Sequence, residues 1–267
     1  MKMQRLGLIV MTMASCSVFV HAEENSAPLS ADAEIAFLSA YVSRGQVCND
    51  RPVMQPALTV ARGGFSFNAW GNFNLTDRIT DKNDFSEIDL GLAYDLPTEV
   101  MEWQVGFLEY VYPHTLTEVE VETAEGPVTE TQAYPGTREM YISAGYPNPY
   151  LTPNLTVYYD IDEADGAYVY GSLEREVEIT DAFTLTPGFS SGYGTRNYND
   201  FFFGVRKDAW NDGNVYLNAD YGLTETVSVG AYISYMWLWD SEIEEGAKEG
   251  YLGADSLFGG IMLAYEL

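Results

Sequence analysis

The sequence predicts an all-β chain, a transmembrane antiparallel up-and-down β-barrel of twelve strands. Three observations predict it. Apolar and polar residues alternate with a period of two over many segments, the spacing of strands whose two faces see different surroundings. Connections between those segments alternate between long and short, as in a barrel with long outside loops and short periplasmic turns. The chain also closes in an apolar, aromatic-bearing strand, with Ile261, Leu263, Tyr265 and Leu267 on one face.

The N-terminus comes first in order. Lys2 and Arg5 precede an apolar run that ends Val20-His21-Ala22, which reads as a secretory signal over 1–22 with the barrel occupying 23–267. A competing lipoprotein box at Met13-Ala14-Ser15-Cys16 fits less well, because the apolar run resumes after Cys16. Cleavage after Ala22 takes two of the 13 basic residues and none of the 40 acidic ones, so the remainder has a net charge of −29. That sign argues against nucleic acid as a partner. It also disfavours adhesion to anionic surfaces without bridging cations. Only Cys48 survives cleavage, so no disulfide framework is expected, and Cys48 reads as an incidental loop thiol.

Twelve segments carry the alternation: 33–44, 53–62, 64–75, 84–96, 100–111, 138–146, 153–161, 166–177, 182–193, 213–221, 226–238 and 255–267. In GFSFNAWGNFNL, Phe65, Phe67 and Phe73 are expected to face lipid while Ser66, Asn68, Asn72 and Asn74 face the lumen, with Trp70 inside as a packing residue. NYNDFFFGV, 197–205, looks strand-like but would make the count odd and send the C-terminus to the wrong side; it is expected in an outside loop or as a strand extension. No amphipathic helix is expected after the signal. Aromatics at strand ends, among them Tyr94, Tyr110, Tyr112, Tyr158, Tyr159, Tyr221, Trp237 and Trp239, suit interfacial girdles.

Residues 41–75 resemble the start of the TorF-type porins, small bacterial outer-membrane β-barrels. The resemblance rests on an aromatic before Ser43-Arg44-Gly45, on Pro52 and Gln55, and on a Gly-led strand carrying Trp70 and Gly71. It covers the first three strands, implies an outer-membrane location and a channel, and supplies no substrate. Within it, Arg44 stands where the first strand meets its loop, near Asp50. Three roles suit it: a constriction charge, a latch holding the loop inward, or an ordinary rim ion pair.

Chemistry beyond a pore has thin support. His114 alone remains in the mature chain, and its neighbour two residues on is Leu116 rather than the Ser of a barrel phospholipase, so no enzyme is expected. Asp160, Asp162 and Asp165 before Gly166 invite a weak Ca²⁺ or Mg²⁺ loop site, although the third acid and the Gly fall one residue late for an EF-hand; the other reading is a solvated acidic turn. No other cofactor is expected. Alternation places Glu87, Asp89, Glu102, Glu139, Glu174, Glu176 and Asp220 on the lumen face, with Glu87, Asp89 and Glu102 expected together toward the periplasmic half. Crowded carboxylates in a wet lumen favour cations.

The expectation is therefore a bacterial outer-membrane, porin-like channel for passive diffusion of small solutes, cation-preferring, with membrane lipid and lipopolysaccharide as its surroundings. The alternative is a closed structural or adhesive barrel, its lumen plugged by Trp70, Tyr168 and Tyr170, binding a partner through outside loops such as 113–137. A soluble β-sandwich is the third reading. Solute identity and oligomeric state are not encoded in these patterns.

Overall fold

The structure, a computed structural model, describes residues 28–79, 83–113, 116–123, 126–133 and 136–267, with 116–133 described by backbone alone. The barrel strands are β1 (Ser30–Leu38), β4 (Val53–Arg62), β5 (Phe65–Asn74), β6 (Phe85–Leu96), β7 (Glu102–Val111), β10 (Thr137–Gly145), β11 (Thr152–Asp160), β12 (Ala167–Glu174), β14 (Phe183–Gly194), β15 (Ala209–Gly222), β16 (Val227–Leu238) and β17 (Asp255–Glu266). The elements between them are β2 (Tyr41–Ser43), β3 (Gln46–Asn49), β8 (Leu116–Thr123), β9 (Gly126–Ala133), β13 (Val177–Thr180), α1 (Arg196–Phe203) and α2 (Ser241–Gly250).

Each barrel strand pairs antiparallel with its neighbours, and the ring closes where Asp32 on β1 meets Glu266 on β17. Short β13 extends the line of β12 and pairs with the start of β14, Val177 opposite Leu185, so twelve strands make the wall. Eleven of the alternating segments coincide with strands of this wall; the first, 33–44, is corrected, because β1 ends at Leu38 and Tyr41–Ser43 turns away to form β2 of a separate two-stranded sheet. The wall closes on itself with its apolar faces outward rather than pairing them into a shared core, which excludes the sandwich.

Period-two alternation sorts the side chains as the physics requires. Outward positions such as Phe65, Leu92, Leu155, Ile233 and Ile261 are exposed on the barrel's exterior. A continuous apolar exterior of this extent is unfavourable in water and matches a hydrocarbon surround. Inward positions are polar or aromatic: Thr59, Asn72, Gln104, Ser143, Thr156, Ser190 and Ser234 are buried in the interior, as is Trp70.

The long connections carry structure of their own. β2 and β3 form a hairpin, β8 and β9 form another where a plain Thr- and Glu-rich loop is expected, and two helices occupy the loops before β15 and β17. The expectation of no helix is thus corrected. The segment 197–205 does lie in a loop, as α1, closed by Gly204 at φ 67. In α2, Asp240 caps the N-terminus by accepting from the Glu242 and Ile243 N–H groups, and Ile243 and Ala247, four apart, bury one face.

Candidate lumen site

The first loop does not stand out from the barrel; it folds into it. Ser43-Arg44-Gly45-Gln46 makes a two-residue turn with both central residues left-handed, Arg44 at φ 46 and Gly45 at φ 83. That pairing is the turn whose twist matches a hairpin, and Gly takes its position without strain. Ala40, Val42 and Val47 pack on Tyr216, Tyr232, Met236 and Phe258, while Tyr41 packs on Trp70 and Val53. Polar ties fix the seat: Asn49 Nδ2 donates to Asn74 Oδ1 at 2.8 Å, and the Leu252 N–H donates to the Val47 carbonyl at 3.1 Å.

This seating drives Arg44 to the wall formed by β7, β10, β11 and β12. Its Nη1 donates to Glu139 Oε1 at 2.6 Å and its Nη2 to Glu139 Oε2 at 2.8 Å, a bidentate pair. The same Nη2 donates to the Tyr110 hydroxyl at 3.1 Å, which in turn donates to Glu139 Oε2 at 2.7 Å. The guanidinium carbon lies 4.3 Å from the Tyr158 ring centre and 4.9 Å from that of Tyr168. Side-chain exposure is 7% for Arg44 and 1% for Glu139, so the pair is buried. Arg44 thus ties the first loop to the wall through a buried bidentate pair. Asp50 does not hold it; Asp50 pairs with Arg78 at 2.9 Å.

The other expected lumen acids divide between the two ends of the barrel. Glu87, which accepts from the Tyr41 hydroxyl at 2.6 Å, and Asp89 are buried at the long-loop end beside this cluster. Glu102 lies at the opposite end, across from Gly145, so the expected grouping of Glu87, Asp89 and Glu102 is corrected: β6 runs from long loop to short turn, and its first acids are a strand's length from the start of β7. Glu174 accepts from the Tyr216 hydroxyl at 2.6 Å. Asp220 faces the charges of Glu34 and Glu176, and Asp32 that of Glu266, near the short turns.

Several participants escaped the sequence reading. Asp32 and Glu34 share the inward face of β1, a parity that SADAEIAFL displays. Asp95 accepts from Gln104 Nε2 at 2.7 Å, and its parity with Glu87 and Asp89 was equally visible. Tyr110 and Tyr158 were expected in girdles and instead point inward, whereas Tyr159 is exposed on the exterior. The acidic loop disperses its carboxylates: Asp160 accepts from Thr137 and from the Asp162 and Ala164 N–H groups, Asp162 pairs with Arg138, and Asp165 accepts from Tyr159. No three His, Cys, Asp or Glu among the described residues come together to hold a metal. Cys48 is a half-buried free thiol on β3 of the hairpin, its Sγ 3.7 Å from the Gln46 carbonyl. His114 lies outside the described residues.

A closed twelve-stranded barrel, apolar outside and polar within, with one loop latched inside it, is the class of protein that these features define. Residues 22–248 match the family described as bacterial protein of unknown function (Gcw_chp), and the chain belongs to that family. No curated protein matches it. Similar solved structures include a KdgM porin in complex with disordered oligogalacturonate, at TM-score 0.48 and 9% identity over 88% of this chain and 98% of that one. A NanC porin scores 0.46 at 13% identity, again over 88% and 98% of the two chains. OmpT, an outer membrane protein of Vibrio cholerae, scores 0.39 at 8% identity over 90% and 97%.

Proposed function

We propose that the chain is an outer-membrane channel through which small solutes diffuse passively, with cations preferred and the outer mouth narrowed by the β2–β3 hairpin. One observation carries this: Asp32, Glu34 and Asp220, near the short turns, share the inward parity of the buried Ala36 and Asn218 on their strands, and none takes part in an ion pair among the described residues. Carboxylates left unneutralised in a lumen draw cations into it. The resemblance of residues 41–75 to the TorF-type porins supports the same reading, as does the rhythm of long and short connections, which sets the hairpin on the outside of the bacterial outer membrane after cleavage at Ala22.

The test is reconstitution of the purified barrel in a planar bilayer under a potassium chloride gradient. The reading expects a steady conductance and a reversal potential displaced toward that of potassium. A folded barrel that passes no current turns the reading to the closed alternative, in which the outside loops bind a partner. A specific observation favours that second reading: Tyr168, Tyr198 and Met236 are fully buried at the long-loop end, and α1 and α2 contact each other there. Deleting 113–137 would then abolish partner binding, whereas in a channel it alters conductance or gating.

A further inference from the structure

We propose that the pocket holding the Arg44 side chain is a guanidinium receptor, occupied by the chain's own first loop as a tethered ligand, and that free guanidinium-bearing solutes compete with Arg44 for it and so release the hairpin. The inference deepens the channel reading by naming a solute class, and it rests on that reading.

A latch alone needs only a countercharge. This pocket offers far more. Glu139 presents both oxygens to the fork, the Tyr110 hydroxyl adds an acceptor, and Tyr158 and Tyr168 lie 4.3 and 4.9 Å from the guanidinium carbon. Two parallel charge-assisted hydrogen bonds and ring contacts distinguish a planar guanidinium from a compact ammonium.

The pocket also stands without its ligand. The groups named above come from β7, β10, β11 and β12, wall strands zipped to one another, Tyr198 of α1 adds a neighbour to the guanidinium, and none comes from the loop that supplies Arg44. Tyr110 is held by its bond to Glu139 at 2.7 Å. Tyr168 is held by its bond to Asp212, also 2.7 Å, and by stacking on Tyr198 at 5.2 Å. Such side chains keep their rotamers when Arg44 leaves, which is the preorganisation a binding site requires.

Local charge then demands an occupant. Asp89 is buried nearby beside Glu87, and its Oδ1 has no hydrogen-bond partner among the described residues. With Arg44 gone, the buried Glu139 carboxylate would lose the cation that pairs with it. A solute cation that shares the fork geometry meets that need, and inorganic cations or ammonium meet it only in part.

The experiment uses the full barrel folded in detergent, with methylguanidinium as probe and methylammonium as a control of equal charge. In Arg44→Ala, methylguanidinium is expected to raise the thermal midpoint saturably, at about tenfold lower concentration than methylammonium, a difference of roughly 1.4 kcal/mol. Arg44→Ala combined with Glu139→Gln is expected to erase that discrimination. The wild-type chain supplies a measurement that needs no variant to fold: methylguanidinium should speed amide exchange at 41–49 and methylammonium should not. Equal action of the two cations in both measurements, or discrimination that survives Glu139→Gln, overturns the receptor. In bilayers, methylguanidinium should block the current of Arg44→Ala. A barrel that never conducts overturns the channel reading while the midpoint and exchange data still decide on the pocket.

Discussion

A residue other than Gly in the left-handed region needs support from its surroundings, and Arg44 at φ 46 has it in Glu139. Removing one partner of a buried ion pair leaves the other charge uncompensated, at a cost of about 3–5 kcal/mol. Glu139→Gln should therefore release the hairpin rather than merely soften the barrel. Amide exchange at 41–49 is expected to rise by orders of magnitude while exchange in β14 to β17 stays slow, and unchanged protection at 41–49 would sink the latch. Gly45 makes a second test at the same tip. A Cβ there would sit 2.7 Å from Leu238 Cδ2, on a backbone with φ 83, whereas Gly63 at φ 59 has nothing within 4 Å of an added Cβ. Gly63→Ala should thus cost only the left-handed penalty, about 1–2 kcal/mol, and Gly45→Ala clearly more. Equal unfolding midpoints for the two variants would show that the hairpin tip has room to move.

At the scale of elements, the strands were legible because a two-faced environment enforces parity residue by residue, and a slip of one would turn every side chain to the wrong side. Parity also excluded 197–205 from the wall. Helices in the loops were harder, since α1 has Thr195 at its cap without a side-chain bond and three consecutive Phe, a composition that favours strands. The signals of α2 were present and missed: Asp at the cap, Glu242 and Glu244 in the first turn, Lys248 in the last. That cap carries a prediction. The Lys207 ammonium 2.8 Å from Asp240, together with the Glu242 and Ile243 N–H groups, holds the Asp240 carboxyl below its ordinary value of 3.8. A carboxyl lowered in the folded state contributes its stability above 3.8 and loses it as pH falls through the lower folded value. Protection of the α2 amides should accordingly be flat from neutral pH down to the carboxylate range and fall below it. Asp240→Ala should lower that protection at neutral pH by about 1 kcal/mol and remove this acid dependence. An Asp240→Ala chain that keeps the wild-type pH profile would assign the dependence to another carboxyl.

For the whole molecule, the direction in which each acid points was readable, but its depth was not. Depth follows from strand direction and barrel stagger, which couple residues distant in sequence. Glu87, Asp89 and Glu102 look contiguous across a short turn because the eye counts residues, while β6 spends its length carrying the first two away from that turn. The tyrosines failed for a related reason, since an aromatic near a strand end suits a lipid girdle or a lumen equally, and only parity with Glu139 and Asp160 separates Tyr158 from Tyr159. Selectivity must then be sought in the acids that remain unneutralised. Glu139 is matched by Arg44, and Glu87 is tied to Tyr41, whereas Glu34 and Asp220 repel each other near the short turns and take part in no ion pair among the described residues. Replacing them together, Glu34→Gln with Asp220→Asn, removes two like charges and no apolar contact, so the barrel should fold at least as well as the wild type. Its reversal potential in a potassium chloride gradient should move toward zero, and the open conductance at low salt should fall, because fewer cations are concentrated in the lumen. The same pair of substitutions at high salt should change little, since screening already masks those charges. A conducting double variant with the wild-type reversal potential at low salt would place the selectivity elsewhere, at the Glu87 and Asp89 end beneath the hairpin.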